Sequence, residues 1–269
     1  MVGAGPDVPV VDARPGFVAE AVAVTTSTVY YFPGGEKYLK NRSDFDQIGV
    51  TVRAKLFAPK GITIQNVSEM RVLKATDDRG RPVTTSDDES RESIHYSNDR
   101  QGGSSVPIEL RLGLPAPDAQ AIDELSAEAV ATTVSKWKEL TLANIQQSAT
   151  NEIDLSAVLP NAKLTITKLS AKSRRLNVEA QIKGPETIGR LQFQCKIPGD
   201  ERFNAHSTDR STATKGGQSQ RTVNITGYIP NDADGAVAGT PASLSLFIRY
   251  PEDLRRERVA FKLSALDLF

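Results

Sequence analysis

The side chains with the most chemical potential in this chain are one cysteine, Cys195, and two histidines, His95 and His206. A single cysteine rules out a disulfide and any zinc site built on two or more thiolates. Neither HExxH nor HxH occurs, so the usual nitrogen and sulfur ligand sets for zinc are missing. Both histidines fall in polar stretches and are expected to be solvated. Cys195 shares a face with Leu191, Phe193 and Ile197, in alternation with Arg190, Gln192, Gln194 and Lys196. It is therefore expected to be a buried small hydrophobe, and an apolar setting raises a thiol pKa and leaves it inert.

Other catalytic signatures fail in turn. Gly217-Gln218-Ser219-Gln220-Arg221 is the nearest string to a nucleophile elbow, and it lacks the second glycine that such a turn needs. Neither GxxxxGK[ST] nor GxGxxG is present, so no phosphate loop is expected. The reading is of a chain with no catalytic residues, no cofactor and no resident metal. Calcium is the open question. Asn231-Asp232-Ala233-Asp234-Gly235 places Asp232 and Asp234 at the alternate positions that oxygen-ligand loops use, without the downstream bidentate glutamate. Asp87, Asp88 and Glu89 form a second acidic group. Spacing alone does not set a ligand number, and acidic turns are mostly just turns.

Aromatic residues offer the remaining binding chemistry. Tyr30, Tyr31, Phe32, Tyr38 and Phe45 cluster in sequence, and Trp137 lies out of phase with Leu140 and Leu142. Rings that face outward from a sheet or loop can stack on the apolar faces of sugars. Tyr30, Tyr31, Tyr38 and Trp137 are thus the candidate ligand-binding residues, with a glycan as the possible ligand. The competing expectation is core packing plus one half-exposed tryptophan.

These side chains must be positioned by strands. The chain has 269 residues, of which 39% are hydrophobic and 25% charged, a soluble globular balance. Lys+Arg and Asp+Glu both number 33, so there is no basic footprint for nucleic acid. No stretch approaches 18 apolar residues, so no membrane span is expected. The opening MVGAGPDVPVVDARPG is not a signal peptide, although it could follow a removed one.

Hydrophobic period two recurs throughout. Val50, Val52, Ala54 and Leu56 alternate with Thr51, Arg53 and Lys55. Ile108, Leu110, Leu112 and Leu114 alternate with Glu109, Arg111 and Gly113. Leu176 to Ile182, Leu191 to Ile197, Leu244 to Ile248 and Val259 to Leu263 repeat the pattern, as half-buried antiparallel strands require. Met70 to Thr84 reads as two β-prone arms about a turn at Asp77-Asp78-Arg79-Gly80. Ala119 to Thr133 is ambiguous. Ile122, Leu125, Ala129 and Val130 fit a helical face, yet the β-branched run from Val130 to Val134 favours a turn and then a strand. Ser86 to Ser105, Gly199 to Gln220 and Asn231 to Pro241 read as long polar connections.

The strand and turn Val72 to Arg81, the Pro-flanked stretch Leu112 to Leu125, and Phe247 to Pro251 with Val259 to Leu263 give the chain a layout that resembles uncharacterised extracytoplasmic bacterial proteins with tandem immunoglobulin-like β-sandwiches. The resemblance implies two such sandwiches, a periplasmic or secreted location, and no known activity. The expected organisation is all-β: a flexible segment at 1-16, one sandwich at 17-148 and a second at 149-269, the cut falling at the polar run QQSATN. The expected role is a non-enzymatic interaction or structural module whose partner is a protein or a cell surface.

Overall fold

The computed structural model describes residues 8–27, 49–84, 95–96, 103–145, 152–172, 175–197, 200–215, 218–228 and 244–268. Their regular structure is all strand, short 3-10 turns such as Glu186–Arg190 aside. By proximity the chain divides into two bodies, one holding Pro9–Val134 and Leu254–Phe269, the other Ser135–Asp253. The reading from periodicity cut the chain once, near residue 148. The chain instead leaves the first body at Val134 and returns to it at Leu254, because the C-terminal strand pairs with the strand that ends at Val134.

The first body has two sheets. The strands β2 (Val18–Ser27), β3 (Gly49–Phe57) and β6 (Ser105–Leu112) form one, in the order β2-β3-β6. The other runs β1-β16-β7-β4-β5, from β1 (Val10–Asp12), β16 (Leu254–Asp267), β7 (Ala121–Val134), β4 (Thr63–Asp77) and β5 (His95–Tyr96). Val10–Asp12 therefore belongs to a sheet, where a flexible segment was expected. The ambiguous stretch is strand, paired on one side with β4 and on the other with β16. Two sheet neighbours satisfy its backbone, which local helix propensity could not outweigh.

Period two translates directly into burial. Val50, Val52, Ala54 and Leu56 on β3 and Val106, Ile108, Leu110 and Leu112 on β6 are all within 2% of complete burial. They share one core with Ile64, Val67, Ile122, Leu125, Ala127, Val259, Phe261 and Leu263 of the second sheet. Leu114 breaks the expected pattern. It lies beyond the end of β6 and is 46% exposed. Gly49 opens β3 at φ +140°, and a Cβ there would sit 2.1 Å from the Leu112 carbonyl oxygen, so only glycine fits.

The second body carries a single eight-stranded antiparallel sheet. Its order is β8-β15-β12-β13-β14-β11-β10-β9, built from β8 (Trp137–Leu142), β9 (Glu152–Asp154), β10 (Lys163–Lys172), β11 (Arg175–Gly184), β12 (Gln192–Ile197), β13 (Asp200–Lys215), β14 (Gln218–Tyr228) and β15 (Ser245–Pro251). The strand β13 takes up Asp200–Lys215 of the stretch from Gly199 to Gln220 that the sequence presented as a connection. His206 therefore lies on a strand and not in a loop. β13 pairs with β12 through Asp200–His206 and with β14 through Ala205–Lys215. By changing partners along its length it joins two half-sheets. Leu164, Ile166, Val178 and Ile182 on one side of that switch share a core with Phe193, Cys195, Leu246 and Ile248 on the other. The sheet thus folds back over its own interior.

Candidate functional site

Two-residue alternation that sends Leu246 and Ile248 of β15 inward must send Phe247 and Arg249 outward. The same holds on β12, where Phe193 and Cys195 face the core and Gln192, Gln194 and Lys196 do not. On β8, Leu140 and Leu142 pack on the core, while Trp137, Glu139 and Thr141 have the opposite phase. Register aligns these outward residues across three strands: Glu139 and Gln192 flank Arg249, and Thr141 and Gln194 flank Phe247.

The result is a strip of rings and cations. The Arg249 guanidinium lies 4.3 Å from the centre of the Trp137 ring, and the Lys196 ammonium lies 4.3 Å from that of Phe247. Arg249 Nε donates to Gln192 Oε1 at 2.9 Å, which fixes the plane of the fork. Trp137, Phe247 and Arg249 are half-buried and Lys196 is exposed. Exposed cation–ring pairs contribute about 0.5–1 kcal/mol each. Aromatic residues and arginine are the types that carry most binding energy at protein interfaces.

Of the four ligand-binding residues expected from sequence, Trp137 sits on this strip with one ring face covered by Arg249. Tyr30, Tyr31 and Tyr38 lie outside the described residues, as do Asp87, Asp88, Asp232 and Asp234. Sequence reasoning missed Arg249, Lys196, Phe247 and Gln192. The available signal was the odd phase of FIRY and QFQCKI, whose even phase was read for the core alone.

Three buried or half-buried polar clusters complete the inventory. Asp77 is 1% exposed at the end of β4 and accepts the backbone N–H of Arg79 at 3.0 Å and of Arg81 at 2.9 Å. It also accepts Arg81 Nε at 2.7 Å, and Arg81 reaches on to Asp118 Oδ1 at 2.7 Å. Burial alone would push the Asp77 carboxyl up, but the donors from Arg81 and Arg79 outweigh it and hold it below the ordinary value. The hydrogen bond from Arg81 likewise holds Asp118 down. Both carboxyls move in the same direction. The hydrogen bonds to Arg79 and Arg81 make this cluster the fastening of the turn at Gly80. The turn is the expected one, with Gly80 at φ +73° and its N–H on the Asp77 carbonyl at 2.9 Å. The returning arm is held by a bridge between Thr76 and Pro82, by Asp77 N–H on Arg81 O and Val83 N–H on Ala75 O, both at 2.9 Å, and by Gly113 N–H on Thr84 O at 2.7 Å.

Glu257 forms the second cluster. It stands in the inward phase of β16, paired across the ladders with Val11 and Ala131, 1% exposed. Burial pushes its carboxyl up, but hydrogen bonds from Arg14 and Thr133 together hold it below the ordinary value. The third is Arg221 on β14, 2% exposed, which donates to the carbonyls of Ile188 and Leu191, both at 2.8 Å. It satisfies main-chain oxygens of the 3-10 turn Glu186–Arg190 from below. Cys195 is completely buried, and that burial pushes its thiol up to about 12, as an inert core residue requires.

Among the described residues, no three His, Cys, Asp or Glu side chains meet as a metal would need, and no helix is long and apolar enough to cross a membrane. Compared with known proteins, the chain matches no family model and no curated sequence.

Proposed function

We propose that this chain is a non-enzymatic interaction or structural module acting outside the cytoplasm, made of two immunoglobulin-like sandwiches. One of them is carried in the connection between β7 and β16 of the other. The sandwich reading is supported by the three-stranded and five-stranded sheets that share one core in the first body, and by the folded-back sheet of the second. Placement outside the cytoplasm rests on the likeness of layout in the sequence.

The observation that carries the binding reading is the strip Trp137–Arg249–Gln192 with Phe247–Lys196. Its partner would be a protein or a cell-surface component that covers the rings and meets the two cations. A sugar platform is the alternative, since Trp137 does face outward. Stacking of a sugar on the ring face under Arg249 would require that guanidinium to move first.

A photoreactive benzoyl-phenylalanine in place of Phe247, expressed in producing cells, tests the reading. A discrete adduct is expected, absent when the same group replaces Lys168 on β10 and lost when Arg249→Ala is added. Equal labelling at both positions would overturn it. Titration with glycans, followed by the emission of the single tryptophan, separates the alternative: saturable change supports sugar binding.

A further inference from the structure

Among the described residues every strand ladder is antiparallel except one, that of β1 on β16. Val10, Val11 and Asp12 lie beside Arg256, Glu257 and Arg258, and Ala13 N–H extends the ladder to Arg258 O at 3.1 Å. Arg14 then turns inward, donating from Nε and from its backbone N–H to Glu257 Oε1 at 2.7 and 3.3 Å. Thr133 Oγ1 donates to the other oxygen, Glu257 Oε2. Of the apolar residues in this attachment, Val11 is 45% exposed and Ala13 packs against the core. Pro15 and Gly16, the latter at φ +100°, then redirect the chain into the other sheet.

We infer that the outer edge of β16 is a strand-accepting site with an arginine subsite at Glu257 and Thr133, filled here by Val10–Arg14 of the same chain and able to take that segment from a second copy. A short extended segment, a pocketed arginine and a turn directly behind it are the parts that strand exchange uses. The contacts made in trans would be the same ones, with Arg14 complementary to Glu257. The chain's 33 cationic and 33 anionic side chains leave no net charge to keep two copies apart.

Cysteines in register test this in the full-length chain, because Asp12 and Arg258 are neighbours on the exposed side of the ladder. The native Cys195 is buried and does not compete. The double variant Asp12→Cys, Arg258→Cys is expected to close within one chain on oxidation. Copies carrying Asp12→Cys alone, mixed with copies carrying Arg258→Cys alone, are expected to give a disulfide-linked heterodimer whose yield rises with concentration. Adding Arg14→Gln to the donor copy should cut that yield several-fold and leave the acceptor untouched. Failure of the double variant to close would remove the strand from β16. A heterodimer yield no greater than that of Asp12→Cys with Lys168→Cys would overturn exchange between copies.

Discussion

Single residues in this protein show charge put to structural use. Glu257 is ionised in the folded state because Arg14 and Thr133 donate to it, and its folded pKa lies below the ordinary 4.5. A depressed carboxyl contributes stability that is fully present above its unfolded pKa and fades as pH falls through the folded value. Glu257→Gln should therefore lower the melting temperature at pH 7 and lower it less at pH 3, as calorimetry at the two values would show. An equal loss at both would mean that the carboxylate's charge is not used. Arg221→Met removes the donor from the buried Leu191 carbonyl, while Ile188 O keeps the Leu191 N–H at 3.1 Å, and an orphaned buried acceptor costs about 1–3 kcal/mol. Denaturant titration should find that loss. These side chains were invisible in the sequence because a charged residue in the inward phase of a strand looks like an interruption. Only the fold shows which carbonyl or carboxylate lies within reach.

Strands were far more legible. The inner faces of β3, β6, β11, β12, β15 and β16 follow from alternation, since one buried face is what produces period two. What escaped was β13. The run DERFNAHSTDRSTATK has no apolar alternation, and its place in the sheet comes from backbone pairing on both sides. Its threonines and serines were compatible with a strand but equally with a loop. The outward strip escaped for a related reason. Each of its residues was readable on its own strand, but the register that sets Arg249 between Glu139 and Gln192 joins segments more than 50 residues apart in sequence. Element boundaries depend on backbone fit as well. Gly49→Ala would drive a Cβ into the Leu112 carbonyl at 2.1 Å, and either β3 or β6 must give way. A loss of about 1–3 kcal/mol is expected. Hydrogen exchange should show faster exchange at the paired ends of β3 and β6, while β11 and β14 stay protected.

At the scale of the molecule, connectivity is what the sequence hid. Polar composition at QQSATN marked a boundary that the strand pairing does not use, whereas Val134 and Leu254 carry no linker signature. Because β16 pairs with β7, the first body is built from segments on both sides of Ser135–Asp253. Each body has its own core. Removing buried methyl groups costs about 2–5 kcal/mol for Leu or Ile to Ala. Leu125→Ala should shift one unfolding transition and Ile182→Ala another, followed by calorimetry on the full chain. If both variants move a single transition alike, the bodies unfold as one.

The proposed contact surface is most directly tested through Trp137, the chain's single tryptophan. Acrylamide quenching of its emission in the folded protein should be intermediate between that of a buried and a free indole, and should rise when Arg249→Ala uncovers the ring. Complete protection in both proteins would mean that this side of β8, β15 and β12 does not face other molecules.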